Sequence, residues 1–401
     1  MSAVVVTWNS LRWLPGCFGS LESQTIAPLA IVVVDNGSED GSVEWIRAHC
    51  PNATIIENPA NRGFCVANNQ GIDASSGEYV LLVNTDVELA PDYVERLVAE
   101  LAADPTIGSA AGKLLRGASE ALAHQSPAAA ANAREPRRID SAGEVLYSTL
   151  RMVNRGAEEI DRGQYDLREE VFGVTAAAAL YRRAMLDDVR IAGEFLDSDF
   201  FSYLEDSDLN WRARLRGWRS VYQPAAVADH IRQHATSRSL AIRRHAYANR
   251  YSTALRNASW LEILRALPQL VLYETHRLLR LLVREPRLLP AYGKVCRLLP
   301  RTLRKRREIQ RRRRVSPRAL REWMRGEDWL GEFAKRCFGR RSGERRSGSE
   351  CARTAATPAA DRGLPGASDA SSRSTAGASR TLAERGHSSA SRATESIAAV
   401  E

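Results

Sequence analysis

The chain has 401 residues, of which 44% are hydrophobic, and a formal net charge of +9. This length and composition predict one sizeable domain with appendages. No run of 18 apolar residues occurs, which argues against a transmembrane helix. The six cysteines form no CxxC pair, and strand-like residues begin almost at Met1. We therefore expect reduced thiols, no signal peptide and a cytoplasmic location.

The positive charge is concentrated in one segment. Residues 301–325 form a dense basic block that contains only Glu308 and Glu322 as acidic residues. A local block of this kind indicates an anionic surface or polymer as a partner and carries no information about the fold.

The first 90 residues alternate short apolar runs with helical segments. This alternation predicts βαβ units and therefore a parallel sheet. The predicted strands cover residues 3–9, 29–35, 53–57 and 79–86, and the predicted helices cover 11–24, 43–49 and a segment entered through the loop 61–71.

The run at residues 79–86 (YVLLVNTD) ends abruptly in Asn84, Thr85 and Asp86. Its apolar part lacks polar alternation, as expected for a strand that is covered on both faces. Open α/β sheets bind ligands at the carboxyl ends of their strands. Asp86 is thus predicted to face a charged substrate.

The middle of the chain is less regular. Residues 171–181 predict a strand of small side chains, which favours close approach by a helix or a ligand. Residues 206–216 predict a helix that Asp206 could cap and that stops at Gly217. Residues 218–224 predict a short strand leading to His230.

After about residue 255 the pattern changes to long helices in which Leu and Arg recur at helical spacing. Such helices either lie in a membrane interface or pack on the domain with an Arg-rich solvent face. Beyond residue 339 the composition predicts a disordered tail. We therefore divide the chain into a sheet domain at 1–255, a basic amphipathic helical region at 256–338 that could associate with a membrane, and a tail at 339–401.

These residues allow a specific chemistry. Asp86 with His230 could hold a divalent cation that bridges a diphosphate, with Mg²⁺ and Mn²⁺ as candidates and the imidazole favouring Mn²⁺. Asp206 at a helix N-terminus could act as general base on a hydroxyl group. Simple capping by Glu205 and Asp206, and a structural role for His230, remain alternatives.

The set of motifs resembles the family 2 glycosyltransferases of GT-A fold, in the rhamnosyltransferase-like subgroup of bacterial surface glycan assembly. The resemblance extends over roughly residues 3–255. It rests on residues 4–9 (VVVTWN), 31–40 (IVVVDNGSED), 61–71 (NRGFCVANNQG), 82–86 (LVNTD) and 200–209 (FFSYLEDSDL) with Arg212, and on the middle segments 139–143 and 161–166.

The resemblance implies a Rossmann-like, mostly parallel sheet with flanking helices and an inverting transfer from a dTDP- or UDP-sugar, with rhamnose as the suggested sugar. The implied acceptor is a hydroxyl of a polyprenyl-linked or cell-surface glycan. Asn84 occupies the first acidic position of the family's metal motif, so metal affinity is expected to be modest. The implied roles are catalytic base for Asp206, metal or diphosphate binding for Asp86 and His230, and donor binding for Thr7, Asn9, Asp35, Asp40, Asn69, Asn84 and Glu205.

Other functions fit less well. A nucleotidyltransferase would need a Gly-rich phosphate loop after the first strand, where this chain has Trp8, and a dinucleotide oxidoreductase would need GxGxxG there. A non-catalytic protein that binds nucleic acid or membrane through the basic block is the remaining alternative. No aromatic motif for nucleic acid accompanies the block, so we predict no specific nucleic acid. Because the block follows amphipathic Leu/Arg helices, we predict an anionic membrane surface as its partner.

Overall fold

The computed structural model describes residues 1–26, 29–117, 137–231 and 239–326. The predicted tail at 339–401 lies outside these ranges. The strands are β1 (Ser2–Thr7), β2 (Ala30–Asp35), β3 (Thr54–Glu57), β4 (Tyr79–Asn84), β5 (Val87–Leu89), β6 (Ile107–Arg116), β7 (Arg138–Ser141), β8 (Glu144–Tyr147), β9 (Met152–Asn154), β10 (Glu169–Val171), β11 (Ala178–Arg182), β12 (Arg219–His230) and β13 (Met324–Arg325).

The main sheet has the order β10-β12-β6-β11-β4-β1-β2-β3, with β5 and β7 attached at β12 and β6. Strands β1 to β4 pair in parallel, whereas β11 runs antiparallel to both of its neighbours. Side chains alternate between two apolar cores, with Val5 and Leu81 on one face and Val4 and Leu82 on the other. The prediction that the strand at 79–86 is covered on both faces is therefore confirmed.

Helices flank the sheet and continue beyond it, so the predicted α/β architecture with C-terminal helices is confirmed. The helices are α1 (Leu14–Glu22), α2 (Ser42–His49), α3 (Phe64–Ala74), α4 (Tyr93–Ala103), α5 (Arg183–Asp188), α6 (Glu205–Arg216), α7 (Leu240–Asn257), α8 (Trp260–Arg284), α9 (Pro290–Arg312) and α10 (Pro317–Arg321).

Two strand predictions need correction. Residues 171–181 are not one strand, because β10 ends at Val171 and β11 begins at Ala178. The connecting loop leaves the sheet and contacts α6 through Thr175 and Ala176. The strand predicted at 218–224 instead continues as β12 to His230, across a register shift between Gln223 and Val227.

Two helix starts also differ from the prediction. The helix predicted at 11–24 opens with a 3-10 turn and becomes α-helical only at Leu14. Helix α6 ends at Arg216 before Gly217, as predicted, but its N-cap residue is Leu204. Asp206 therefore lies in the first turn of α6 and does not cap it.

Helices α7 and α9 are attached to the sheet region through buried charges. Arg256 near the end of α7 is 1% exposed, and its Nε donates to Asp208 of α6 at 2.6 Å. Arg256 also bonds to Asp197, which accepts from Lys305 of α9 at 2.6 Å. The domain boundary predicted at residue 255 thus lies within α7, next to one of its most buried contacts.

We predict that Arg256→Met lowers the free energy of unfolding by about 3–5 kcal/mol, because it leaves two buried carboxylates with fewer cationic partners. Urea unfolding followed by circular dichroism measures this change. Arg96→Met is the control, because Arg96 and Asp92 form an exposed ion pair whose loss should cost far less than that of a buried pair. Equal stability losses in the two variants would contradict the assignment.

Candidate active site

A cleft of about 480 Å³ opens at the carboxyl end of β4. It brings together five of the ten predicted site residues, and Trp8 lies beside them. Those five are Asn84, Asp86, Glu205, Asp206 and His230. They come from the end of β4 and the turn after it, from the first turn of α6 and from the end of β12, so three separate parts of the chain converge on the cleft.

Strand pairing places His230 beside Asp86. Strand β12 runs antiparallel to β5 with His230 opposite Val87. His230 Nε2 lies 3.3 Å from Asp86 Oδ1, and Nδ1 lies 2.9 Å from Asp140 Oδ2. Burial disfavours a charged imidazole, but the hydrogen bonds to Asp140 and Asp86 outweigh it and raise the pKa of His230 to about 9. Without a competing cation, His230 is therefore an imidazolium held between two carboxylates.

The same residues fit a divalent cation that is shared with a substrate. Among the residues that the structure describes, no group of three or more His, Cys, Asp and Glu side chains could hold a metal by itself. Asp86 and His230 nevertheless supply an oxygen and a nitrogen, and Asp140 orients the ring as carboxylates do for metal-binding histidines. Cations that bind diphosphates take many of their ligands from phosphate and water.

Asp206 is held by hydrogen bonds on both carboxylate oxygens. Its Oδ2 accepts from Thr175 Oγ1 and from the Ala176 N–H, both at 3.2 Å. Its Oδ1 accepts from the Ser207 N–H at 2.8 Å. A carboxylate has about four acceptor positions, so one remains for a hydroxyl group in the cleft. The side chain is thus both oriented and able to accept a proton.

Two further acidic side chains surround Asp206. Burial, followed by the charge of Asp206, raises the pKa of Glu205 and of Glu144 well above the usual range. Glu144 accepts from Ser207 Oγ at 2.6 Å and from Asn210 Nδ2 at 2.7 Å. Glu205 Oε2 is buried and has no hydrogen-bond partner within the described chain. Both groups are favoured as neutral acids, which spares Asp206 the repulsion of two neighbouring charges.

A second group of predicted residues lies at the carboxyl ends of β1 and β2, where Thr7 pairs with Asp35. Asp35 Oδ2 accepts from the N–H groups of Gly37 and Ser38, both at 3.0 Å. Thr7 Oγ1 and Asp35 Oδ1 are buried without hydrogen-bond partners in the described ranges. Buried polar atoms are normally paired, so these two oxygens are available to a polar ligand.

Asn9 and Asp40 connect the two loops that follow β1 and β2. Asn9 Oδ1 accepts from the Glu39 N–H at 2.8 Å, and Asp40 Oδ2 accepts from the Leu11 N–H at 2.9 Å. Neither residue lines the cleft. Both therefore shape the edge of the Thr7–Asp35 group, and their predicted contact with the donor stays a prediction.

Asn69 lies apart from the cleft. Its Nδ2 donates to the Leu196 carbonyl at 2.7 Å, and its Oδ1 accepts from the Leu196 N–H at 2.9 Å. Both ends of the amide are thus used to hold the segment before α6 against α3. The donor-binding role predicted for Asn69 is untested, and the observed contacts are structural.

The residue that sequence reasoning missed most clearly is Asn249 of α7. Phe201, Tyr203 and Leu204, which come just before Glu205 and Asp206, all have positive φ. This backbone conformation costs about 1–2 kcal/mol for each residue other than glycine. Asn249 Nδ2 donates to the carbonyls of Phe200, Ser202 and Tyr203 at 3.0, 2.9 and 2.8 Å. Asn249 holds the strained turn that delivers Asp206 to the cleft. Asp140 and Glu144 were also missed, because a lone carboxylate carries no signal of its partners.

Comparison with known proteins shows which proteins the chain is similar to. Residues 2–190 match the family model described as Glycosyl transferase family 2. An N-acetylglucosaminyl-diphospho-decaprenol L-rhamnosyltransferase of Mycobacterium tuberculosis is 28% identical over 280 residues, which cover 65% of this chain and 86% of that protein. An N-acetylglucosaminyltransferase of Bradyrhizobium elkanii is 39% identical over 107 residues, covering 25% of this chain and 58% of that protein.

Among solved structures, S. aureus TarS aligns with 75% of this chain and 49% of its own at 16% identity and a TM-score of 0.48. The region matched by the family model contains β1 to β4 with their intervening helices, Asp86 just after β4, and the loop at 172–177. The predicted resemblance is confirmed: residues 2–190 match glycosyl transferase family 2, and the chain is similar to a rhamnosyltransferase over 65% of its length.

Proposed function

We propose that the protein is an inverting glycosyltransferase that moves a sugar from a nucleotide-diphospho-sugar to a hydroxyl group of a polyprenyl-linked or cell-surface glycan. The observation that carries this proposal is the shared cleft. Asp206, which can accept a proton, lines the same cleft as Asp86 and His230, which can hold a diphosphate. A transferase needs both functions on opposite sides of one reacting carbon.

In the proposed reaction Asp206 takes the proton of the acceptor hydroxyl while the hydroxyl oxygen attacks the anomeric carbon of the donor. The bond between that carbon and the diphosphate oxygen breaks, and the diphosphate leaves with the bonding electron pair. Attack from the face opposite the leaving group inverts the anomeric configuration. The hydrogen bonds from Thr175, Ala176 and Ser207 hold the Asp206 carboxylate in place for this proton transfer.

We propose that Asp86 and His230 bind the diphosphate side of the donor, together with Mn²⁺ or Mg²⁺. A bound divalent cation would neutralise the charge of the leaving diphosphate. Asp140 holds the imidazole ring of His230 so that Nε2 faces Asp86. The neutral amide of Asn84 lines the cleft nearby and would contact the donor without adding a second charge.

The nucleotide would bind next to the cleft, at Thr7 and Asp35. Asp35 Oδ1, which has no hydrogen-bond partner among the described residues, is an acceptor that suits the N3–H of uracil or thymine, which supports a UDP- or dTDP-sugar. Trp8 is 51% exposed and lines the cleft beside this group, so its ring offers a stacking surface. Asn9, Asp40 and Glu205 complete the proposed donor site.

The acceptor and the sugar are proposed from the relatives. The Mycobacterium tuberculosis protein is named as an L-rhamnosyltransferase of a decaprenol-linked sugar, which supports a polyprenyl-linked acceptor here and makes rhamnose the first sugar to test. Such an acceptor would place the protein at the inner face of the cell membrane as a peripheral protein. No helix in the described ranges is long and apolar enough to cross a membrane.

We expect Asp206→Asn to lower turnover by roughly 10²- to 10⁴-fold, the usual contribution of a general base, without weakening donor binding. Release of nucleoside diphosphate from a panel of dTDP-, UDP- and GDP-sugars measures turnover, and calorimetry measures binding. Asp92→Asn is the matched control, because Asp92 directly precedes α4 and its side chain is 39% exposed. Undiminished turnover of Asp206→Asn would exclude Asp206 as the base. Failure of every nucleotide to bind the wild-type protein would contradict the proposed transferase function.

We expect a chelator to abolish turnover and Mn²⁺ to restore it. In Asp86→Asn the half-saturating Mn²⁺ concentration should rise at least tenfold, because an amide replaces the charged ligand. Electron paramagnetic resonance of Mn²⁺ with protein and UDP measures binding without turnover. If chelator-treated protein kept its full turnover, the His230 imidazolium, and not a metal ion, would be the group that neutralises the diphosphate.

We expect Asn249→Asp, which keeps the shape but removes the donor, to lower turnover roughly ten- to hundredfold by releasing the turn before Asp206. Asn249→Ala should behave alike. Donor binding measured by calorimetry should change little, which separates loss of positioning from loss of the donor site. The control is Asn52→Ala on the exposed surface. Turnover of Asn249→Asp equal to that of the control would contradict the positioning role.

A further inference from the structure

Helix α8 is turned with its apolar side chains outward. Helices on globular proteins normally bury their apolar stripe and expose polar residues. In α8, ten large apolar side chains are 40% to 80% exposed. They are Trp260, Leu261, Leu264, Leu267, Val271, Leu272, Leu278, Leu279, Leu282 and Val283, and we call these residues the outer face of α8.

Polar contacts hold the opposite side of α8 against the protein. Glu262 accepts from Arg313 at 2.8 Å. Tyr273 Oη accepts from Arg151 at 2.9 Å. Glu274 forms an ion pair of 2.5 Å with Arg250. Because these contacts would break if the helix rotated, they oppose a rotation that would turn the outer face inward.

The charged side chains on the exposed side of α8 are cationic. Glu262 and Glu274 are the only acidic residues of α8, and both point towards the protein. Exposed arginines border the apolar side chains or follow them on α9. They are Arg265, Arg280, Arg284 and Arg287, followed by Arg297, Arg301, Arg304, Arg307 and Arg311. A surface with an apolar centre and a cationic border matches an anionic lipid interface, because such helices bury their apolar face between acyl chains and headgroups.

We propose that the outer face of α8 docks the protein on the surface of an anionic lipid bilayer, with the helix parallel to the membrane plane. Its 25 residues would form a contact about 37 Å long. Helix α7 begins at the cleft, which Ser239 and Ile242 line, and two residues separate its end from the start of α8. The docking face is thus connected to the active site through α7. Docking requires neither donor nor acceptor, so it can fail independently of the proposed reaction.

The test is flotation of the full chain with vesicles of phosphatidylcholine alone or with 30% phosphatidylglycerol, without substrates. We expect co-flotation that is stronger with the anionic vesicles. The triple variant Leu264→Ser, Leu272→Ser, Leu279→Ser should lose roughly tenfold or more in partitioning. Leu167→Ser is the matched control, because Leu167 is 74% exposed and lies outside α8. The substituted leucines are at the surface, so thermal unfolding of the triple variant should match the wild type.

A second readout locates the contact. Trp260 lies on the outer face and is 62% exposed, so brominated lipids should quench part of the tryptophan fluorescence, and Trp260→Phe should remove that part while still floating. Absence of flotation, or equal flotation of the triple variant, would overturn the proposal. It would also be overturned if the wild type formed a dimer that the triple variant does not form, while neither floats, since the face would then be a protein interface.

Discussion

The interaction on which this architecture depends is the buried charge network between α6, α7 and α9. Asp208 accepts from Arg212 of its own helix and from Arg256 of α7, and Asp197 accepts from Arg256 and from Lys305. Buried ion pairs contribute little net stability compared with well-packed apolar residues, but they allow only one arrangement of the elements that carry them. This network defines how the C-terminal helices sit on the sheet region, and therefore where α6 starts.

The position of α6 matters because its first turn supplies Asp206. The preceding turn adopts positive φ at three side-chain-bearing residues, a conformation that persists only when the surrounding structure enforces it. Asn249 of α7 stabilises this turn through its hydrogen bonds, and it lies on the same helix as Arg256. Backbone strain near the cleft is therefore held by residues outside the region that matches the family model.

The arginines of the C-terminal helices serve two different purposes. Arg250, Arg256 and Arg313 pair with buried or half-buried carboxylates inside the protein, whereas the arginines on the outward side of α8 and α9 are exposed. Helices α7 and α9 pack on the sheet region, and α8 exposes an apolar face with a cationic border. The composition of the segment is the same in either case, and only the rotation of each helix distinguishes them.

The sequence by itself determined the strands and helices of the first 90 residues and the end of α6, because apolar runs, polar strand ends and Gly217 act over a few residues. It also identified Asp86, Asp206 and His230 as chemically capable, and the structure brings them to one cleft. Only the tertiary structure decided their partners. Asp140, Glu144, Thr175 and Asn249 act across long stretches of chain, and no local pattern records such contacts. The outward orientation of the apolar face of α8 was likewise decided by tertiary contacts, those of its opposite side with Arg151, Arg250 and Arg313. Amphipathic spacing defines two faces of a helix but does not determine which one packs against the protein.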